Sequence, residues 1–204
     1  MRTVNFAGNA IAPAKIICIG RNYVAHIQEL GNETPDDMVV FLKPNSALGS
    51  VLHASRDAEP LHYEGELAFI IESGTLGGVG FGLDLTRREL QSTLKAKGLP
   101  WERAKGFDGA ALFSNFVPIP ADLKMLELYL HVDGELRQHG GVAQMIYKPG
   151  QILDELRSFL TLDDGDIIMT GTPAGVGEVC AGQAFSGSAA VAGETLVSGH
   201  WVAQ

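Results

Sequence analysis

Residues 62–83 read HYEGELAFIIESGTLGGVGFGL, and the fold turns on how this stretch is paired. Residues 67–71 and 79–83 are apolar runs of strand length, and SGTLGG between them is a Gly-rich connection of the kind hairpins use, so the segment predicts two antiparallel strands. Two carboxylates, Glu64 and Glu66, stand one residue apart at the mouth of the first strand. Residues i and i+2 of a strand share a face, so both acids point the same way. Like charges that close repel, and they need a cation or a shared proton. An exposed, solvated strand face accounts for the same pattern. Gly65 between them lets backbone or a packed neighbour approach the opposite face.

Working outward, residues 14–19 (AKIICI) and 38–42 (MVVFL) are short apolar runs bounded by turn residues and predict buried strands. Residues 22–30 (NYVAHIQEL) predict a short helix stopped at Gly31. After Asp84, Thr86 and Glu89 have capping-box spacing, opening a helix that runs to about Lys97 and stops at Gly98. Asp133-Gly134 joins strands at residues 126–132 and from 136 onward, which suggests a second β-layer. Residues 152–160 read as a helix, 167–170 as a strand, and the Gly/Ala/Ser-rich tail as terminal strands. This is a β-rich α+β pattern with short helices, not a βαβ alternation.

The chain has 204 residues, 46% of them hydrophobic and 19% charged, which suits a single domain spanning residues 1–204, with residues 1–14 as a short N-terminal extension. A net charge of −9 argues against nucleic acid or an anionic membrane as partner, and an anionic small molecule then needs a local cationic site. No apolar run reaches the length of a membrane span. Cys18 and Cys180 lack metal or redox spacing and read as buried, reduced thiols, the pattern of a cytoplasmic protein.

Asp84, at the end of the run GFGL, offers a third carboxylate to Glu64 and Glu66. Three hard oxygen ligands favour Mg²⁺ or Mn²⁺, and His62, if it faces the same side, shifts the preference toward Zn²⁺. His26 and Glu29 are three apart on a helix, so the carboxylate can orient the imidazole as a general base; an ordinary surface pair has the same spacing. Arg88 and Gln91 share a helix face just after Asp84, and Lys105 in WERAKGFD has Trp101 and Phe107 nearby, where a partly desolvated ammonium can hold a carboxylate or an enolate. Solvated surface is the competing reading for all three. TGTPAGVG (170–177) lacks the P-loop lysine, so Gly171 and Thr172 suggest a backbone nest for a carboxylate or oxyanion. There is no GxSxG and no Cys/His pair, so hydrolysis would use water.

Taken in order, GRNY-x-x-H-x-x-E, FLKPxSAL, HYEGEL, LDLTxRxLQ, KGLPWxxAKxFD and TGTPxGVG resemble the fumarylacetoacetate hydrolase family over about residues 15–177. The resemblance is closest to small single-domain members acting on acylpyruvates or oxaloacetate. It implies a mixed β-sandwich roll with short peripheral helices, a homodimer, and Glu64, Glu66 and Asp84 as ligands to Mg²⁺ or Mn²⁺. It further implies His26 and Glu29 as a water-activating dyad at the start of a mobile lid, and Lys105 holding substrate oxygens beside the metal. Arg88 and Gln91 would face the substrate, Gly171 and Thr172 would receive the carboxylate of a 2-oxo acid, and Arg21 and Lys43 would stand near the same cavity. The activity implied first is C–C bond hydrolysis of an acylpyruvate-like 2,4-dioxo acid. The alternatives are oxaloacetate decarboxylation or tautomerisation, isomerisation or hydration of a related dioic acid, and metal-dependent binding without catalysis. The chain departs from the family pattern in its short 72–79 connection, in Glu89 where Asp is usual, and in its small-residue tail.

Overall fold

The computed structural model describes residues 1–31, 33 and 35–204. In chain order the strands are β1 (Val4–Phe6), β2 (Asn9–Ile11), β3 (Lys15–Gly20), β4 (Val39–Pro44), β5 (Ser55–Arg56), β6 (Glu59–Tyr63), β7 (Gly65–Glu72), β8 (Thr75–Asp84) and β9 (Thr86–Arg87). They continue as β10 (Ala111–Phe113), β11 (Val117–Pro118), β12 (Leu126–Val132), β13 (Glu135–Gly141), β14 (Ile167–Met169), β15 (Gly177–Glu178), β16 (Ala184–Val191) and β17 (Glu194–Val202). Among the described residues, four short α-helices intervene: α1 (Val24–Glu29), α2 (Arg88–Ala96), α3 (Glu102–Lys105) and α4 (Pro149–Arg157).

The β7–β8 hairpin is tighter than its sequence suggests. Only Ser73 and Gly74 form the turn, at φ 51° and 71°, the doubly positive φ that lets a two-residue loop follow the strand twist. Thr75 to Gly78, assigned to the connection by composition, belong to β8. The glycines serve packing: a methyl on Gly78 would lie 2.6 Å from the Phe6 ring and 2.8 Å from Ile70.

Seven strands make the central sheet, in the order β10-β8-β7-β14-β3-β4 with β11 also on β8. β14 enters between β7 and β3, antiparallel to the first and parallel to the second, with Ile167 opposite Ile16. Asp166 anchors that parallel start. Its buried carboxylate accepts from the Lys15 backbone N–H at 3.1 Å and from Lys15 Nζ at 2.5 Å.

Both faces of this sheet are covered, which is why its strands read as continuous apolar runs. Leu67, Phe69 and Ile71 enter one core with Leu126, Leu128 and Leu130 of the second sheet. Ala68 and Ile70, of opposite parity, enter the other with Ile16, Cys18, Phe116 and Met169. The second sheet is antiparallel, in the order β13-β12-β16-β17; β12 buries alternate residues and packs against β7, while β16 and β17 pack against β8. The result is the β-rich α+β sandwich roll expected.

Local readings change where burial supplies a better partner. Thr86 does not cap α2. It pairs in β9 with His62, fully buried, and its hydroxyl accepts from Lys105 Nζ at 2.6 Å; Arg87 takes the N-cap position with no side-chain cap. Asn22 does not begin α1, because its amide is spent on Thr170 O at 2.8 Å and Tyr147 O at 3.0 Å. Helix α4 starts three residues earlier than read, with Pro149 in its first turn and Gln151 bonded back to the Lys148 N–H. Cys18 is buried, but Cys180 is exposed because its neighbour Val179 takes the inward place.

The two sheets meet most closely where Gly187 faces Phe81: a methyl there would lie 2.1 Å from the ring. Gly187→Ala is therefore expected to cost about 1–3 kcal/mol by overpacking, and much less in a Phe81→Leu background. Urea unfolding of the four members of this cycle checks the coupling.

Candidate active site

Glu64 and Glu66 stand where β6 passes into β7, and their parity is that of Ala68 and Ile70. Gly65 shows the opposite face, where its N–H donates to Gln138 Oε1 at 2.8 Å and a methyl would meet that oxygen and the Phe81 ring at 3.0 Å. The glycine thus lets the second sheet close behind the two acids. Asp84 ends β8 beside them, its N–H donating to Glu64 O at 2.8 Å. One oxygen from each acid lies within 4.8 Å of the others, and all three side chains are buried.

Cations surround this charge. Lys105 Nζ donates to Glu64 Oε2 at 2.9 Å and Asp84 Oδ2 at 2.8 Å, Lys43 Nζ lies 2.7 Å from Asp84 Oδ1, and Arg88 pairs with Glu64. For Glu64, burial works to raise the pKa, but Lys105 and Arg88 outweigh it and hold the carboxyl well below its usual range. Glu66 goes the other way: burial first, then the charges of Asp84 and Glu64, push it well up. Its support is the Gly171 N–H at 2.8 Å, and among the described residues no ion pair reaches it.

These acids form the floor of a compact cleft of about 40 Å³, whose walls include Arg21, His26, Arg88, Gln91, Lys105, Gly171 and Thr172. Glu29 stands behind His26, with Oε2 3.2 Å from Nδ1 and Oε1 accepting from the Gly175 N–H at 2.9 Å, so the pair is tied to the TGTPAGVG loop. Lys43 does not line the cleft. It is fully buried behind Asp84, donating to the carbonyls of Lys105 and Ala110. The expected lid runs into positions 32 and 34, outside the described residues.

Gly171 sits at φ +91°, and a methyl there would lie 2.9 Å from Asn22 Cβ and Ile19 O. Only glycine suits both constraints. Its N–H is directed to Glu66, and Thr172 Oγ1 donates to Gly65 O at 2.8 Å, so the loop braces the carboxylate strand as well as lining the cleft.

A family model described as fumarylacetoacetate (FAA) hydrolase C-terminal matches residues 15–199. The chain belongs to the fumarylacetoacetate hydrolase family. It is 43% identical over 185 residues, 83% of each chain, to "Oxaloacetate tautomerase FAHD1, mitochondrial" of Arabidopsis thaliana. It is 38% identical over 186 residues, 83% of this chain and 85% of the relative, to "Oxaloacetate decarboxylase, mitochondrial" of Dictyostelium discoideum. Among solved structures, fumarylpyruvate hydrolase from Pseudomonas aeruginosa, crystallised with Mn²⁺ and pyruvate, superposes with TM-score 0.86 at 31% identity, covering 99% of this chain and 96% of that one.

The acidic floor fits the divalent cation this family binds. The donors are all hard carboxylate oxygens, Glu66 lacks a cationic partner among the described residues, and Asp84 Oδ1 is buried with no aligned hydrogen bond, only the Lys43 charge beside it. His62 is outside this ligand group and is only half-buried; burial and the Arg88 charge lower its pKa. Sequence reasoning overlooked four residues that build the site. Phe41 puts its ring 5.4 Å from Lys105 Nζ, in the place expected of Phe107; Thr86 holds the same ammonium; Asn22 fixes the turn beside Arg21; Lys95 lines the cleft. Lys95 alone had a legible signal, seven residues after Arg88 on one helix.

Replacing Glu66 by Gln removes the charge that burial penalises. In chelator, Glu66→Gln is expected to be at least as stable as wild type, with the advantage growing as pH rises above the usual carboxylate value, since the wild-type carboxyl then ionises readily in the unfolded chain while burial opposes its ionisation in the folded state. With Mn²⁺ the order reverses: wild type gains several degrees in melting temperature and the variant gains little. Thermal melts across pH, with and without metal, measure both.

Proposed function

We propose that this chain is a divalent-metal-dependent enzyme acting on oxaloacetate, interconverting its enol and keto forms and decarboxylating it, with negative charge stabilised on the 2-oxygen in both reactions. The observation that carries the reading is the 43% identity, over 83% of both chains, to a relative named for oxaloacetate tautomerisation. A relative named for oxaloacetate decarboxylation and the acid-floored cleft support it. Mg²⁺ or Mn²⁺ on Glu64, Glu66 and Asp84 would supply Lewis-acid polarisation of the 2-oxo group.

The chain's own residues then divide the work. Thr172 and its loop orient the substrate carboxylate, while Arg88 and Gln91, held together at 3.0 Å, position the rest of the molecule from α2. Lys105, an ammonium whose three N–H groups are engaged by Glu64, Asp84 and Thr86, stabilises through its positive charge the 2-oxo oxygen as it becomes an enolate. His26, its Nδ1 taken by Glu29, uses Nε2 to take the proton from C3 and pass it to the 2-oxygen, or to carry it the opposite way, which completes tautomerisation. In decarboxylation the C3–C4 bond breaks instead, CO₂ leaves, and the electron pair enters the enolate, so His26 is needed only to reprotonate C3.

The His26–Glu29 pair also favours a second reading, hydrolysis of acylpyruvates by water activated at Nε2, in keeping with the likeness to fumarylpyruvate hydrolase. The proposal includes a homodimer and a cytoplasmic location, both expectations of the sequence. Among the described residues, no helix is long and apolar enough to cross a membrane.

Enol decay and CO₂ release from oxaloacetate, alongside acetylpyruvate cleavage, separate the readings. The expected result is acceleration on oxaloacetate that is abolished by chelation and lowered about 10²-fold or more by Lys105→Met. His26→Ala should lose tautomerisation while keeping decarboxylation. Cleavage of acetylpyruvate by a protein inert to oxaloacetate would overturn the proposal in favour of the hydrolase.

A further inference from the structure

Strand β7 lacks a strand neighbour on one edge where it begins. Met169, the last residue of β14, stands opposite Ala68, and the Thr170 N–H still reaches Leu67 O at 3.2 Å, but β14 ends there. At Gly65, between the acids Glu64 and Glu66, two side chains stand in for a strand.

The Gly65 N–H donates to Gln138 Oε1 at 2.8 Å, Gln138 Nε2 donates to Thr172 Oγ1 at 2.7 Å, and Thr172 Oγ1 donates to Gly65 O at 2.8 Å. Three hydrogen bonds thus close a ring that begins and ends on one residue. The second N–H of Nε2 goes to Pro173 O at 2.8 Å. A single orientation of the amide serves this network: reversed, its nitrogen would face the Gly65 N–H and its oxygen the Pro173 carbonyl. Because Thr172 Oγ1 accepts from Gln138, its own proton is directed to Gly65 O. Gln138 is 1% exposed, so water does not compete for these bonds, and each polarises the next.

The ring acts on the acids through the backbone. The Gly65 N–H belongs to the peptide plane shared with Glu64, and the Gly65 C=O to the plane shared with Glu66. Fixing both planes fixes the directions in which the two carboxylates leave the strand. The same amide fastens the 170–177 loop at Thr172 and Pro173. Strand β13, which carries Gln138, is shaped to receive that loop: a methyl on Gly140 would lie 2.8 Å from Pro173 Cβ, and one on Gly175 would lie 2.0 Å from Arg137 O.

We infer that Gln138 is a positioning residue for the metal site, aiming Glu64 and Glu66 through the hydrogen-bonded ring on Gly65 and registering the cleft-lining loop against them. Gln138 is not among the residues lining the cleft, so it acts through Gly65 and Thr172. This role rests on the acidic floor being a metal site and not on the choice of substrate.

Mn²⁺ titrated into the metal-stripped full chain without substrate, by calorimetry at a temperature where circular dichroism shows each protein folded, tests the role. Gln138→Met removes the amide at nearly constant volume, and Thr172→Val removes the hydroxyl that completes the ring. Each is expected to weaken Mn²⁺ binding about tenfold or more. The double variant should bind within about threefold of the weaker single one, since both changes break one ring. Thr172→Ser, which keeps the hydroxyl, should bind Mn²⁺ within about threefold of wild type. A purely structural glutamine would lower the melting temperature and leave the Mn²⁺ affinity of the folded protein intact. A loss below tenfold in either folded single variant, or losses that multiply in the double one, overturns the inference. A wild type that takes up no Mn²⁺ refutes the metal site and the inference with it, whereas one that takes up Mn²⁺ and leaves oxaloacetate unchanged refutes the substrate reading alone.

Discussion

Three carboxylates buried within 4.8 Å of one another are the constraint around which this molecule is arranged. Removing such charges from water is costly unless cations and hydrogen-bond donors replace it. Lys105 and Lys43 are drawn fully into the interior for this purpose, and Arg88 is brought over from α2. Thr86 is taken from a helix cap to hold the Lys105 ammonium, and the Gly171 N–H is turned toward Glu66. One carboxylate, Glu66, is left without cationic compensation among the described residues, and that imbalance suits the floor to a divalent cation.

The sheet topology makes the arrangement possible. Insertion of β14 between β7 and β3 places three strand ends side by side: the start of β7 with its acids, the turn after β3 with Arg21 and Asn22, and the Thr170 to Thr172 loop after β14. Asn22 and Gly171 stitch these ends together, one through its amide and the other through its lack of a side chain. The second sheet seals the back of the site at Gly65, so the acids can face only the cleft.

Residues contributed by α1 and α2 differ in how they are held. Arg88 and Gln91 are braced by each other and by Glu64. His26 is braced by Glu29, and Glu29 by the backbone of Gly175, so the position of the imidazole depends on a long-range contact with the C-terminal loop. The proton-handling group is thus coupled to the same loop that supports Glu66.

Much of this is legible in the chain itself, because it depends on local periodicity and residue chemistry. The apolar runs at residues 67–71 and 79–83 announce the central hairpin, Asp133-Gly134 announces the second, and the ordered motifs name the acids, the dyad and Lys105. What stays hidden is whatever depends on partners distant in sequence. Thr86 has the spacing of a cap, yet a buried ammonium competes successfully for its hydroxyl. Lys43 carries a motif position but lies behind the site, since Asp84 needs a counter-charge there. The sequence by itself determined the strand pattern and the identity of the acid set, since alternation and charge are properties of short segments. Only the tertiary structure decided that β14 lies between β7 and β3 and which acid remains uncompensated, because these follow from packing elements that lie from about twenty to more than a hundred residues apart.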